Sequence, residues 1–521
     1  MARILVSEQL APTGLDYLAK AGHEVDVRLG LSPAELLEAI VGAHALIVRS
    51  ATQVTPEVLA AGSDLVVVGR AGIGLDNVDV AAATHQGVMV VNAPQSNVLS
   101  AAEHSMALLL AQARNVPQAH SALKAGKWER SRWEGVELYG KTLGVIGLGR
   151  IGSLVAQRAL AFGMQLVAYD PYVSAERARQ LGIELLDLDD LVARSDFITI
   201  HVAKTPETTG LINKELLRKA KPNLRVINVA RGGIVDESSL AEAISEGLIA
   251  GAALDVFATE PTTESPLFAL DQVVVTPHLG ASTAEAQDKA GVTIAEQVVL
   301  ALAGDFVPFA VNVSASEASE TVRPFLPLAE RLGRLLVSLE GGVPDTLEIE
   351  YQGQIGDYDT RILSLSVLKG LFGGVLDEPV TYVNAPQIAE QRGIEVRETK
   401  TSSKQDYVNL ITLRGGRHSM SATLAGPRSE PRIVMFDNHT VEVPPASHML
   451  VVRNDDRPGM IGLVTSSLGE AGINISDIHV GRSSQGDAAL MVLATDQQVG
   501  TELLNELRKA PGIVSVHAMA G

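Results

Sequence analysis

The sequence predicts an α/β protein: two doubly wound, mostly parallel sheets, then an α+β module, then a ferredoxin-like βαββαβ unit. Three observations predict it. Short β-branched runs alternate with helix-like segments in two successive series; a glycine-rich turn joins strand to helix at the start of the second; and the texture changes after a small polar linker, "SASEASE". A length of 521 residues is too much for one core and fits roughly three or four domains.

The first series lies between Arg3 and Val91, where "ILV", "HEVDV", "ALIVRS", "LVVVG" and "VMVV" read as strands and "SPAELLEAI" as an intervening helix. "NAPQSN" is a polar hinge into the helix "VLSAAEHSMALLLAQAR". The second series starts at "KTLGVIGLGRIG" and continues through "LVAYD", "SDFITIHV", "RVINVA", "AGAALDVF" and "QVVVTPHLG". A helix, "AEAQDKAGVTIAEQVVLAL", then leads to "PFAVNV" and the linker. Residues 319–446 mix alternating strands with helices, and from His448 the order is strand, helix, two strands, helix, strand. The pentapeptide "VNAPQ" occurs at Val91 and again at Val383, with no match in the flanks, which reads as coincidence.

Composition narrows the function. Apolar residues make up 46% and charged residues 20%, a globular balance without an apolar run of the roughly 18 residues a bilayer span needs. "MARILVSEQL" does not read as a secretory signal, so a cytoplasmic location is expected. Zero cysteines exclude thiolate nucleophiles, disulfides and cysteine-bound metals. A net charge of −19 argues against nucleic-acid or membrane-surface partners, so an anionic substrate needs a local cluster of arginines.

Gly147, Gly149 and Gly152 form a G-x-G-x-x-G between a strand and a helix that Arg150 and Ile151 open, the Rossmann-like context for a dinucleotide. Asp170 follows Gly152 by 18 residues at the end of "LVAYD", placed to accept ribose hydroxyls and repel a 2′-phosphate, which favours NAD over NADP. Three later strand ends carry Arg231, Asp255 with Glu260, and His278. A hydride transfer between carbonyl and alcohol needs a proton donor, a cation for the substrate carboxylate and a group that keeps the donor charged; these residues fit.

The motifs "GRAGIGLDNVD", "NAPQSNVLSAAEH", "GKWERSRWEG", "GKTLGVIGLGRIG", "NVARGGIVDE", "AALDVFATEP" and "TPHLGAST" together resemble the D-2-hydroxyacid dehydrogenase family, most closely its D-3-phosphoglycerate dehydrogenase branch. The resemblance implies a substrate-binding domain of residues 1–97 completed by 289–312, and an NAD domain of residues 98–288 inserted between them. It implies Arg231, Glu260 and His278 as the catalytic set, with Ala230, Asp255, His278 and Gly280 beside the cofactor. It implies Arg49, Ser50, Gly72, Ile73 and Arg231 around the substrate, D-3-phosphoglycerate. Arg70, Arg130 and Arg132 are further candidates for a phosphate, which arginine forks suit.

"NDDRPGMIG" with "GINI" resembles the ACT regulatory domain, here 448–521, and implies Asp456 and Asn474 as ligands of a small amino acid, with L-serine the expected effector and a homotetramer the expected assembly. Asp456 also suits the start of a helix. Residues 319–446 resemble the intervening domain of the long form of the enzyme; their cations Lys404, Arg414, Arg417 and Arg432 and His439 are scattered and read mainly as solvated charge. The alternatives are another D-2-hydroxyacid dehydrogenase, such as a hydroxypyruvate or glyoxylate reductase, and a non-enzymatic NAD-sensing corepressor-like protein.

Overall fold

The computed structural model describes residues 1–313, 319–376, 380–402, 407–437, 439–482 and 489–520. Its first sheet contains β1 (Arg3–Val6), β2 (Glu24–Val27), β3 (Ala45–Val48), β4 (Val67–Arg70) and β5 (Met89–Val91). These run parallel in the order β2-β1-β3-β4-β5, the flavodoxin-type doubly wound arrangement. β3 and β5 are buried throughout, as continuous apolar runs should be when helices cover both faces. One covering helix arrives from far along the chain: Ala284–Ala303 lays Ile294 and Val298 against Gly69 of β4. It crosses helix Pro12–Lys20 so closely that a Cβ on Gly14 would lie 2.7 Å from the carbonyl oxygen of Gly291.

The second sheet contains β6 (Thr142–Ile146), β7 (Gln165–Tyr169), β8 (Glu184–Leu185), β9 (Phe197–Ile200), β10 (Arg225–Asn228), β11 (Gly251–Leu254) and β12 (Val273–Val275). All pairs are parallel and the order is β12-β11-β10-β9-β6-β7-β8, so the winding reverses between β6 and β9. That switch point is where a dinucleotide fold opens its crevice. The helix Val98–Arg114 packs Leu109 and Ala113 into the same core as Val145 of β6. "PFAVNV" forms no named strand; it runs beside β5, where Asn312 accepts the Val90 N–H and donates to the Val88 carbonyl.

The third sheet, β13 (Thr346–Gly353), β14 (Glu395–Thr401), β15 (Asn409–Gly415), β16 (His418–Ala425), β17 (Glu430–Phe436) and β18 (His439–Val443), has the order β14-β13-β15-β16-β17-β18, with only β13 and β14 parallel. The fourth, β19 (His448–Asn454), β20 (Ile475–Arg482), β21 (Ala489–Thr495) and β22 (Ile513–Ala520), is antiparallel in the order β20-β21-β19-β22. Helices Met460–Glu470 and Thr501–Lys509 cover one of its faces. The opposite face, with Met449, Val451, Leu490, Val492 and Met519, joins the core formed by helix Leu326–Glu340 and the third sheet. Two modules that read separately along the chain therefore share one apolar interior.

The two "VNAPQ" copies sit in unrelated settings: the first ends β5, and the second enters helix Ala385–Gln391, where Val383 packs into the first sheet's core and the Thr381 hydroxyl donates to the Gly87 carbonyl. Among the described residues no helix is long and apolar enough to cross a membrane.

Candidate active site

Loops at the carboxyl ends of the two parallel sheets face each other across a cleft of about 620 Å³. The first sheet contributes Arg49 and Ser50 after β3, and Arg70, Gly72 and Ile73 at the end of β4; the second contributes Arg231 after β10, Glu260 after β11 and His278 after β12. Open parallel sheets bind ligands at this end.

His278 holds a backbone conformation that side chains rarely adopt, φ 55°. Its N–H donates to the Asp255 and Thr276 carbonyls at 2.9 and 3.0 Å, and these bonds offset the roughly 1–2 kcal/mol that such a conformation costs a residue with a Cβ. The turn aims Nδ1 at Glu260 Oε2, 2.5 Å away, while Glu260 Oε1 accepts the Phe257 N–H at 2.8 Å. The hydrogen bond to Glu260 raises the imidazole pKa above its ordinary 6.5, outweighing partial burial. For Glu260 burial works the other way, yet the bonds from His278 and the Phe257 N–H hold its carboxyl below the usual range. Each group thus favours the charged form of the other, and Nε2 is left for chemistry.

Asp255 shapes this loop from underneath. Fully buried, it accepts the Thr276 hydroxyl at 2.6 Å and the Leu279 and Gly280 N–H groups at 2.7 and 2.8 Å, with His104 Nε2 at 3.2 Å. Burial opposes its charge, but these donors keep it ionised. On the neighbouring strand end, Asn228 sets the Ala230–Arg231 turn by accepting the Ala230 N–H and donating to the Arg231 carbonyl. Arg231 Nε donates to Asp76 Oδ2 of the first sheet's loops at 3.2 Å, so a carboxylate already faces this arginine. Arg70 lies against Gly72, where any Cβ would collide with its guanidinium; its Nε is buried without a hydrogen bond, and burial followed by repulsion from Arg231 pulls its pKa down to about 10.

The glycine turn has three distinct constraints. Gly147, at φ 91°, would drive a Cβ into the His201 carbonyl. Gly149, which precedes helix Arg150–Ala161, would point one into open space, leaving its backbone approachable. Gly152 would place one 2.0 Å from the Gly147 carbonyl oxygen, so only glycine lets the helix meet the strand. This is the division of labour a pyrophosphate-binding turn requires, and the helix start, including Ile151, carries no side-chain cap to compete with an anion. Asp170 accepts the Leu148 and Tyr172 N–H groups, one on each oxygen, which fixes its carboxylate at the rim of the turn. The residues present fit NAD.

Some sequence candidates lie elsewhere. Arg130 and Arg132 are exposed and do not line the cleft; Arg132 pairs with Asp271 at 2.6 Å and stacks on Trp133. Arg414 and Arg432 are paired with Glu350 and Glu430, His439 is buried, and Lys404 falls outside the described residues. Asp456 and Asn474 are exposed, after β19 and before β20. The sequence reading missed Asn454, which ends β19 two residues before Asp456; it is buried, with its side-chain oxygen lacking a hydrogen-bond partner. A polar residue at the end of the apolar run "MLVV" is the signal that could have found it.

Residues 106–280 match the family model of the D-isomer specific 2-hydroxyacid dehydrogenase NAD binding domain, residues 321–437 that of the D-3-phosphoglycerate dehydrogenase intervening domain, and residues 448–512 the ACT domain. The chain is 49% identical over 514 residues to a D-3-phosphoglycerate dehydrogenase of Mycobacterium tuberculosis, covering 97% of each chain. It is 38% identical over 521 residues to one of Bacillus subtilis, covering 99% of each. Among solved structures, the apo D-lactate dehydrogenase of Escherichia coli aligns with a TM-score of 0.54 and 27% identity, over 60% of this chain and 100% of that one.

Proposed function

Because the chain belongs to the D-3-phosphoglycerate dehydrogenase family, we infer that the cleft between its first two sheets is where the substrate's C2 hydroxyl is oxidised. The reaction is the NAD-dependent conversion of D-3-phosphoglycerate to 3-phosphohydroxypyruvate. When bound, NAD supplies the hydride acceptor. The Gly147–Gly152 turn would hold its pyrophosphate and Asp170 its adenosine ribose, with Ala230 and Gly280 toward the nicotinamide end and Asp255 supporting that end from beneath the His278 loop. His278 Nε2 takes the hydroxyl proton as the C2 hydride leaves, and Glu260 stabilises the imidazolium that forms. Arg231 and the Gly72–Ile73 backbone bind the carboxylate, while Arg49, Ser50 and Arg70 gather the phosphate.

The observation that carries this reading is the convergence of Arg49, Arg70 and Arg231 on the space beside the His278–Glu260 pair. Initial rates over a panel of 2-hydroxy acids, with and without a terminal phosphate, test it. kcat/KM should be greatest for D-3-phosphoglycerate, and equal or better use of D-glycerate would remove Arg49 and Arg70 from the phosphate role.

The appended ACT domain takes a small-molecule effector. We infer that this effector is L-serine, bound by Asp456 and Asn474 with Asn454 at the base of the site, in a cytoplasmic homotetramer whose arrangements bind serine unequally. Asn474→Ala is expected to raise the serine concentration needed for half-inhibition. A truncated enzyme ending near residue 314 that serine still inhibits would move the effector into the catalytic cleft.

A further inference from the structure

Glu8 stands two residues beyond β1, at the same sheet end as the substrate loops, yet its side chain does not line the cleft. It is partly buried behind the loop Arg49–Thr52. Its Oε1 accepts the backbone N–H groups of Arg49 at 2.8 Å and Thr52 at 2.9 Å, and its Oε2 accepts that of Ala51 at 3.2 Å. Asn77 grips the same loop by its carbonyls, donating from Nδ2 to Arg49 at 2.8 Å and to Thr52 at 2.6 Å. Ser7 adds a hydroxyl contact to Thr52 at 3.0 Å. The loop is therefore held from both sides, its donors by a carboxylate and its acceptors by an amide.

Three backbone N–H groups converging on one carboxylate resemble an anion-binding nest already filled by the protein's own side chain. The charge has a second consequence. Arg70 is repelled by Arg231 and Arg49 and attracted by Asp76 and Glu8, so Glu8 offsets part of the cost of crowding arginines into one cleft.

Building on the phosphate role given above to Arg49 and Arg70, we propose that Glu8 is a positioning residue for the phosphate end of the substrate: it prefolds the Arg49–Thr52 loop through three backbone hydrogen bonds and supplies the counter-charge that lets Arg49 and Arg70 converge. A neutral side chain of the same shape cannot do both. In Glu8→Gln one end of the amide turns an N–H toward a loop N–H, and the charge is gone.

The test is steady-state kinetics on the full-length enzyme. Glu8→Gln is expected to raise KM for D-3-phosphoglycerate by about 10-fold or more, with kcat changed much less, because a small misplacement of a binding group costs on that order. KM for D-glycerate, which lacks the phosphate, should rise far less. Equal rises for the two substrates, or an unchanged KM for D-3-phosphoglycerate, would overturn the proposal. If Glu8→Gln does not fold, Glu8→Asp keeps the charge but shortens the reach, and it should raise KM for the phosphorylated substrate severalfold; no change there also overturns it. Arg49→Ala separates the two readings. If Arg49→Ala leaves KM unchanged, the phosphate pocket itself is misassigned and the proposal falls with it; if Arg49→Ala raises KM and the Glu8 variants do not, only the role of Glu8 is lost.

Discussion

His278→Ala is expected to lower kcat for oxidation by about 10²–10⁴-fold while leaving NAD affinity close to that of the parent enzyme. The imidazole sits in the cleft between the sheets, whereas the glycine turn that would bind the pyrophosphate lies at the β6–β9 switch point. Removing the ring takes away the proton acceptor and leaves the turn intact. Near-parental kcat, or parallel losses in turnover and NAD affinity, would refute the assignment. The pH dependence has a definite sign. Oxidation needs neutral His278, so its rate should rise with pH through the elevated imidazole pKa, and reduction should fall over the same range. Glu260→Gln removes the largest cause of that elevation, and the limb should move to lower pH with a smaller loss of turnover than in His278→Ala. The pair's contribution to stability follows the same signs. The raised histidine contributes fully below 6.5 and is lost as pH rises through its folded value; the depressed carboxyl contributes above 4.5 and is lost as pH falls through its own.

Asp255→Ala is expected to damage folding and catalysis together. The substitution strands the Leu279 and Gly280 N–H groups and the Thr276 hydroxyl beneath the loop that carries His278. Each unsatisfied buried donor costs about 1–3 kcal/mol, so a loss of several kcal/mol is at stake unless the loop rearranges toward solvent. Either route displaces His278 from Glu260. Thermal melting should show a midpoint lowered by several degrees, and kcat should fall well over tenfold even under conditions where the variant is folded. Asp255→Asn keeps the shape and part of the acceptor capacity, and should lie between. An Asp255→Ala enzyme with the parental melting point and kcat would show that the loop does not depend on this carboxylate.

The parts of the site that were legible in the sequence are those whose requirement is local. Gly147 and Gly152 announce themselves because their own backbones leave no room for a side chain, and His278 because a histidine ends an apolar strand. Arg231 and Glu260 emerged with their neighbouring motifs. Asp76 and Glu8 did not, since what they do depends on residues 155 and 41 positions away, distances no periodicity reports. Arg132, in a segment with two tryptophans, is paired with Asp271 outside the cleft, a partner 139 positions away that no local pattern reports. For the last two modules the signal was present and went unread. "MLVV" and "ALMVLA" are unbroken apolar runs, and β21 is buried along its whole length. A sheet with one wet face would alternate.

The double coverage of the fourth sheet changes what counts as a part. Cutting the chain between Val443 and His448, where the family boundary lies, would expose Met449, Val451, Leu490, Val492 and Met519 on one fragment and the facing surface of helix Leu326–Glu340 on the other. Neither fragment could be grafted onto another enzyme without a greasy wound that invites aggregation. Because the third and fourth sheets share one interior, the two inherited modules should melt as a single cooperative body.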